Sequence, residues 1–192
     1  MTDLRAGRGL SRPRGGAANV TAPHPCRGAT LAVALSISQF LVASACGCVA
    51  AAGLLWAVVV YVLALGVLLL PLRWLCARIG PFLVLLAGLW MFVQSSAVIA
   101  FGLITSPASF LVLRGVQGAG AAALTAVALT LLPRAFPSPD RREAALLGWS
   151  GVLLVGLAAG LMLGEKAFWM NLPLGVLSGA TTLRLLRTRL AA

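Results

Sequence analysis

The chain alternates long apolar runs with short polar breaks. Ala29 to Leu72 contains no charged residue, and crossing the hydrocarbon core takes about 20 residues, so this run is long enough for two helices. A break near Gly47 to Gly53 predicts spans over about 30–50 and 54–72, joined by a tight turn. Pro71, Arg73 and Arg78 end the second span. A third is expected over about 82–103, and the turn Thr105-Ser106-Pro107 separates it from a fourth over about 109–132. Pro133, Pro137 and Pro139 then accompany Arg134, Asp140, Arg141, Arg142 and Glu143 in a loop too polar for lipid. A fifth span covers about 145–164, and Glu165-Lys166 is the only break before a sixth over about 168–186.

Composition supports the bilayer as solvent. The chain is 60% hydrophobic and 10% charged, with a mean hydropathy of +1.01, against about 25% charged residues in a soluble domain. The expected fold is an all-α integral membrane protein: a disordered basic tail over residues 1–28, then a six-span bundle over 29–190. The tail's composition, with Arg5, Arg8, Arg12, Arg14 and Arg27 among Gly, Pro and Ala, favours disorder. It does not read as a signal peptide, whose apolar region stops after about 15 residues.

A formal charge of +11 raises the question of nucleic acid, but the arginines lie in the gaps between apolar runs rather than on one solvated face. With six spans, both tails and the even-numbered gaps share one side. That side holds thirteen of the fifteen Lys and Arg, the opposite side only Lys166, and Arg114 is within the membrane. The positive-inside rule therefore puts both termini in the cytoplasm of a multi-pass cell-membrane protein. A five-span reading would strand the five tail arginines on the wrong side. The predicted partner is the lipid bilayer, with no nucleic acid. The cysteines form no disulfide or metal framework, since a lone Cys46-x-Cys48 lacks further ligands at metal spacing. No Ser-His-Asp set, metal cluster or phosphate loop points to an enzyme or a cofactor.

The most informative stretch is FLVLRGVQGAGAAALTAVALTLL, in the fourth span. A guanidinium at membrane depth costs about 2.5–3.5 kcal/mol on insertion scales, so its default reading is functional. Arg114, Gln117 and Gly118 stand at i, i+3 and i+4 and share a helix face. The bland alternative is a snorkelling arginine near the interface, only seven residues past Pro107.

The run Phe110, Arg114, Gln117, Gly118, Gly120, Ala121, Ala122 resembles the fourth-helix motif L-x-x-x-R-x-x-Q-G-x-G-A-A of drug:proton antiporters in the major facilitator superfamily. The resemblance implies that Arg114 and Gln117 take part in proton and substrate coupling. Gly156, Gly160 and Gly164 resemble the glycine-rich antiporter motif of the fifth helix, with Leu161 where that motif has proline. Four-residue glycine spacing also packs membrane helices with no transport involved. Asn171-Leu172-Pro173-Leu174-Gly175 is similar to the start of the family's sixth helix. The resemblance covers about residues 30 to 190, the N-terminal half of a transporter of twelve or fourteen spans.

The departures set the functional expectation. In the family's gate loop G-x-L-A-D-R-x-G-R-R, Arg78 and Gly80 survive here, while Ala77 replaces the aspartate and Pro81 and Phe82 replace the basic pair. No Asp or Glu occurs between Asp3 and Asp140. A proton relay needs a titratable group, and arginine is always charged. The leading expectation is a truncated relative of a proton-coupled drug efflux antiporter from which autonomous transport is not expected. It would need a second transporter half or a homodimer, and its cargo would be a small apolar or cationic drug. The alternative is a non-transporting membrane interaction protein that docks a partner or second bundle through its glycine faces.

Overall fold

The computed structural model describes residues 25–136 and 138–190; the expected basic tail, apart from its last four residues, lies outside them. The chain forms six helices: α1 Pro25–Ala51, α2 Leu55–Ile79, α3 Pro81–Ala100, α4 Pro107–Ala135, α5 Pro139–Leu163 and α6 Lys166–Leu190. Among the described residues, α1 to α5 are long and apolar enough to cross a membrane. The sixth has the length, 25 residues, but carries a polar stripe that lowers its hydropathy.

Two helices run past prolines at which the pattern-based limits end them. Pro71 and Pro133 lie inside α2 and α4 rather than ending them. Proline is tolerated inside membrane helices where neighbours and local adjustment satisfy the freed carbonyl. The gate-loop stretch is consequently helical through Ile79, and Gly80 alone separates α2 from α3. Gly80 has φ +95°, and Pro81 opens α3. Proline disfavours a helical conformation in the residue before it, and only glycine enters this φ region without strain. Likewise the loop expected over residues 133–143 shrinks to the short link before Pro139, which occupies the first turn of α5.

The start of α4 is fixed by a capping box. Ser106 Oγ accepts from the backbone N–H of Ser109, the Ser109 hydroxyl accepts from the N–H of Ser106, and Pro107 fills the first turn. This helix is the centre of the bundle, packing mainly on α2 and α3, while α1 packs on α5 and α6, and α6 also on α3. The core of α4 is built from small residues, with Ala121, Ala122 and Ala126 fully buried. Large apolar side chains point outward: Trp56, Val59, Leu63 and Val67 on α2, and Leu154, Val155 and Met162 on α5 are exposed. That inside-out arrangement suits a surface solvated by lipid.

Candidate functional site

The site is built around Arg114, which is 0% exposed. It does not snorkel to an interface. Its Nε donates to the carbonyl of Ala57 at 3.4 Å, and its Nη1 donates to Gln117 Oε1 one turn along the same helix. The guanidinium carbon stacks 4.3 Å from the centre of the Tyr61 ring, a cation–π contact worth about 2 kcal/mol when desolvated. Gln117 passes the network to α3 by donating through Nε2 to Ser96 Oγ at 2.7 Å, and the Ser96 hydroxyl donates to Phe92 O. Tyr61 is itself fixed by its OH donating to Val42 O of α1 at 2.8 Å. One charge thus ties four helices together. No carboxylate answers it: among the described residues, Asp140, Glu143 and Glu165 are all exposed at helix ends. Arg114 Nη2 is buried with no partner.

Glycines let the helices close around this hub. A Cβ at Gly118 would meet Ala64 of α2 at 2.9 Å, and one at Gly120 would meet Gly88 O of α3 at 2.8 Å. On the other side, a Cβ at Gly156 would lie 2.8 Å from Phe40 O, and Gly160 faces the backbone of Ser44 and Cys48 of α1. Gly47 returns the contact from α1 to Leu161 of α5. Gly164 does not belong with them. It caps α5 with φ +53°, and an added Cβ there meets nothing within 4 Å. The four-residue spacing continues past the end of the helix, so Gly164 serves the turn and not the packing.

The gate-loop remnant lies apart from the hub. Arg78, in the last turn of α2, is exposed and stacks over Trp74 at 4.1 Å. A second polar seam, overlooked in the sequence apart from Asn171, joins α1 to α6. Ser44 Oγ donates to Asn171 Oδ1 at 3.1 Å, and Ser38 and Ser178 share a hydrogen bond of 3.0 Å. Thr182 is buried one turn further along. Asn171, Ser178 and Thr182 stand at i, i+7 and i+11, two and three helical turns apart. That period could have revealed the stripe.

Comparison with known proteins bears on this bundle. The chain is 34% identical over 140 residues to the drug efflux pump JefA of Mycobacterium tuberculosis, covering 68% of this chain and 27% of JefA. It is 40% identical over 136 residues to the cephamycin export protein CmcT of Amycolatopsis lactamdurans, covering 66% of this chain and 28% of CmcT. It is 34% identical over 140 residues to the methylenomycin A resistance protein of Streptomyces coelicolor, 68% of this chain and 29% of that protein. No family model matches the chain. The matched stretch thus spans little more than a quarter of these relatives.

Fold and hub together define a multi-pass helical membrane bundle. The chain is related over this stretch to the drug efflux and export proteins of the major facilitator superfamily.

Proposed function

We propose that the chain supplies one six-helix bundle of a drug exporter in the cell membrane, with both termini cytoplasmic, and that it moves cargo only together with a second bundle. The observation carrying this reading is a buried Arg114 whose contacts, directly and through Gln117 and Tyr61, reach three neighbouring helices in a relative of export proteins. Transporters of this architecture rock one bundle against another around a central site. The close glycine contacts between α1 and α5, and between α4 and both α2 and α3, suit a bundle that moves as one body. Arg114 stays charged throughout. Helices α1 to α4 hold no carboxylate and Asp140, Glu143 and Glu165 are exposed at helix ends, so a proton-binding group inside the membrane comes from the second bundle.

Two experiments test this. Everted vesicles carrying only this chain are expected to accumulate no ethidium when a proton gradient is imposed; accumulation above empty vesicles would overturn the need for a second bundle. For topology, a green fluorescent protein fused after Ala192 is expected to fluoresce, and a cysteine at Ser106 is expected to react with an impermeant maleimide added outside intact cells. Labelling of that cysteine only after lysis would reverse the orientation.

A second reading is favoured by the broad apolar faces of α2 and α5, where Gly148 and Gly151 also have open space around them. On it, the chain is a membrane interaction protein that docks another bundle without transport. Crosslinked dimers that move nothing, even when paired with a second major facilitator half, would select it.

A further inference from the structure

The outer face of α2 ends in a basic notch. Leu63, Val67, Leu70 and Trp74 recur at i, i+4, i+7 and i+11, so they form one stripe along the helix. All four are exposed, Leu70 at 73% and Trp74 at 57%, and in a bilayer such a stripe lies against acyl chains. At about 100° per residue, Arg73 and Arg78 fall on opposite flanks of the stripe, with Ala77 between them. Arg73, Ala77 and Arg78 are all exposed. The Arg78 guanidinium is held over the Trp74 ring, 4.1 Å from its centre, which keeps its charge beside the stripe. Tryptophan is the side chain that settles at the level of lipid headgroups. On the Arg73 flank the end of α4 adds a third cation. The thiol of Cys76 lies within electrostatic reach of both Arg73 and Arg134.

No acid answers these charges. The chain has no Asp or Glu between Asp3 and Asp140, and among the described residues no ion pair holds Arg73, Arg78 or Arg134. Asp140 and Glu143 open α5, which packs mainly on α1, whereas α2 packs mainly on α4. Ala77 stands where the gate-loop pattern has aspartate, so the floor between the two arginines is small and uncharged. Two guanidiniums about such a floor suit a phosphate, which arginine grips through its planar fork. The apolar stripe below them selects a phosphate that is attached to acyl chains.

We propose that this corner of the bundle binds an anionic phospholipid. Its phosphate sits between Arg73 and Arg78, Arg134 adds to the field, and its acyl chains run along Trp74, Leu70, Val67 and Leu63. A zwitterionic lipid offers the same phosphate, but its ammonium group is repelled by the three cations, so a lipid of net negative charge is preferred. A free phosphate would meet the arginines without the stripe, and salt would screen that attraction. Lipid binding here is independent of whether the chain moves cargo.

The test is quenching of tryptophan fluorescence by lipids brominated on their acyl chains. The full chain, with Trp56, Trp90, Trp149 and Trp169 replaced by phenylalanine so that Trp74 alone reports, is placed in phosphatidylcholine vesicles. Brominated phosphatidylglycerol is expected to quench at about a tenfold lower mole fraction than brominated phosphatidylcholine. Arg73→Gln and Arg78→Gln should each reduce that preference about fivefold. Ala77→Asp, which sets a carboxylate between the arginines, should abolish it. Arg142→Gln, on α5 at the same end of the bundle, should leave it unchanged. Equal quenching by the two lipids would overturn the site. So would a loss with Arg142→Gln as large as with Arg73→Gln, which would show only diffuse surface charge. Soluble glycerol phosphate at millimolar concentration is expected not to relieve the quenching; relief would overturn the lipid assignment in favour of a free anion. Should the single-tryptophan chain not fold, mass spectrometry of the parental chain and the same variants, counting phosphatidylglycerol retained through purification, carries the same comparisons.

Discussion

Replacing Gly160 by leucine is expected to prevent the bundle from closing. A Cβ alone at this position meets the backbone of Ser44 and Cys48, and backbone inside a packed helix cannot move aside as a flexible side chain can. The helices α1 and α5 would have to separate, losing the contacts around Gly156 and Gly47 as well. Overpacking of a well-formed core costs about 1–3 kcal/mol, occasionally more, and a clash against backbone belongs at the upper end. Gly160→Leu should therefore yield little monodisperse protein in detergent. Gly148→Leu on the same helix, where an added Cβ meets nothing within 4 Å, should behave like the parent. Thermal unfolding of the two variants side by side checks this, and equal melting would refute the close α1–α5 packing.

The second large effect separates stability from activity. Arg114→Met keeps most of the side-chain volume, removes the charge, and leaves Gln117 its hydrogen bond to Ser96. Replacing buried ionic groups with well-packed apolar ones is often neutral, or stabilising by about 1–4 kcal/mol. The loss of the Tyr61 stacking and of the bonds to Ala57 and Gln117, which leaves Gln117 Oε1 buried without a donor, works against that gain. The expected outcome is a folded protein of equal or higher melting temperature whose drug export, in assembly with a second bundle, falls to background. A variant that folds and still exports at the parental rate would remove Arg114 from the mechanism. A variant that cannot fold would make the arginine structural.

Much of this was legible in the sequence, for physical reasons. Uncharged runs the length of a bilayer leave few options but helices, and the i, i+3 spacing already placed Arg114 beside Gln117. The remaining partners of the arginine were not legible. Tyr61 and Ala57 are 53 and 57 positions away, Ser96 is 21 positions from its partner Gln117, and only the choice of which helices touch brings them together. Pro71 and Pro133 read as helix ends by the rule for water-soluble helices, which weakens where neighbouring helices satisfy the backbone. Gly164 was misplaced because a glycine repeat does not reveal where its helix stops; its φ of +53° does. The stripe Asn171, Ser178, Thr182 was legible but hidden by the apolar outer residues between its members, such as Val176 and Leu177.

The function proposed for this chain depends on a guanidinium enclosed within the bundle instead of reaching a membrane surface. Cysteine accessibility measures that directly. In a background with Cys26, Cys46, Cys48 and Cys76 replaced, Arg114→Cys should resist an impermeant maleimide added to either side of the membrane, while Ser109→Cys on the exposed first turn of the same helix should react. Brisk labelling of Arg114→Cys from one side at the rate seen for Ser109→Cys would show a snorkelling residue and contradict the account.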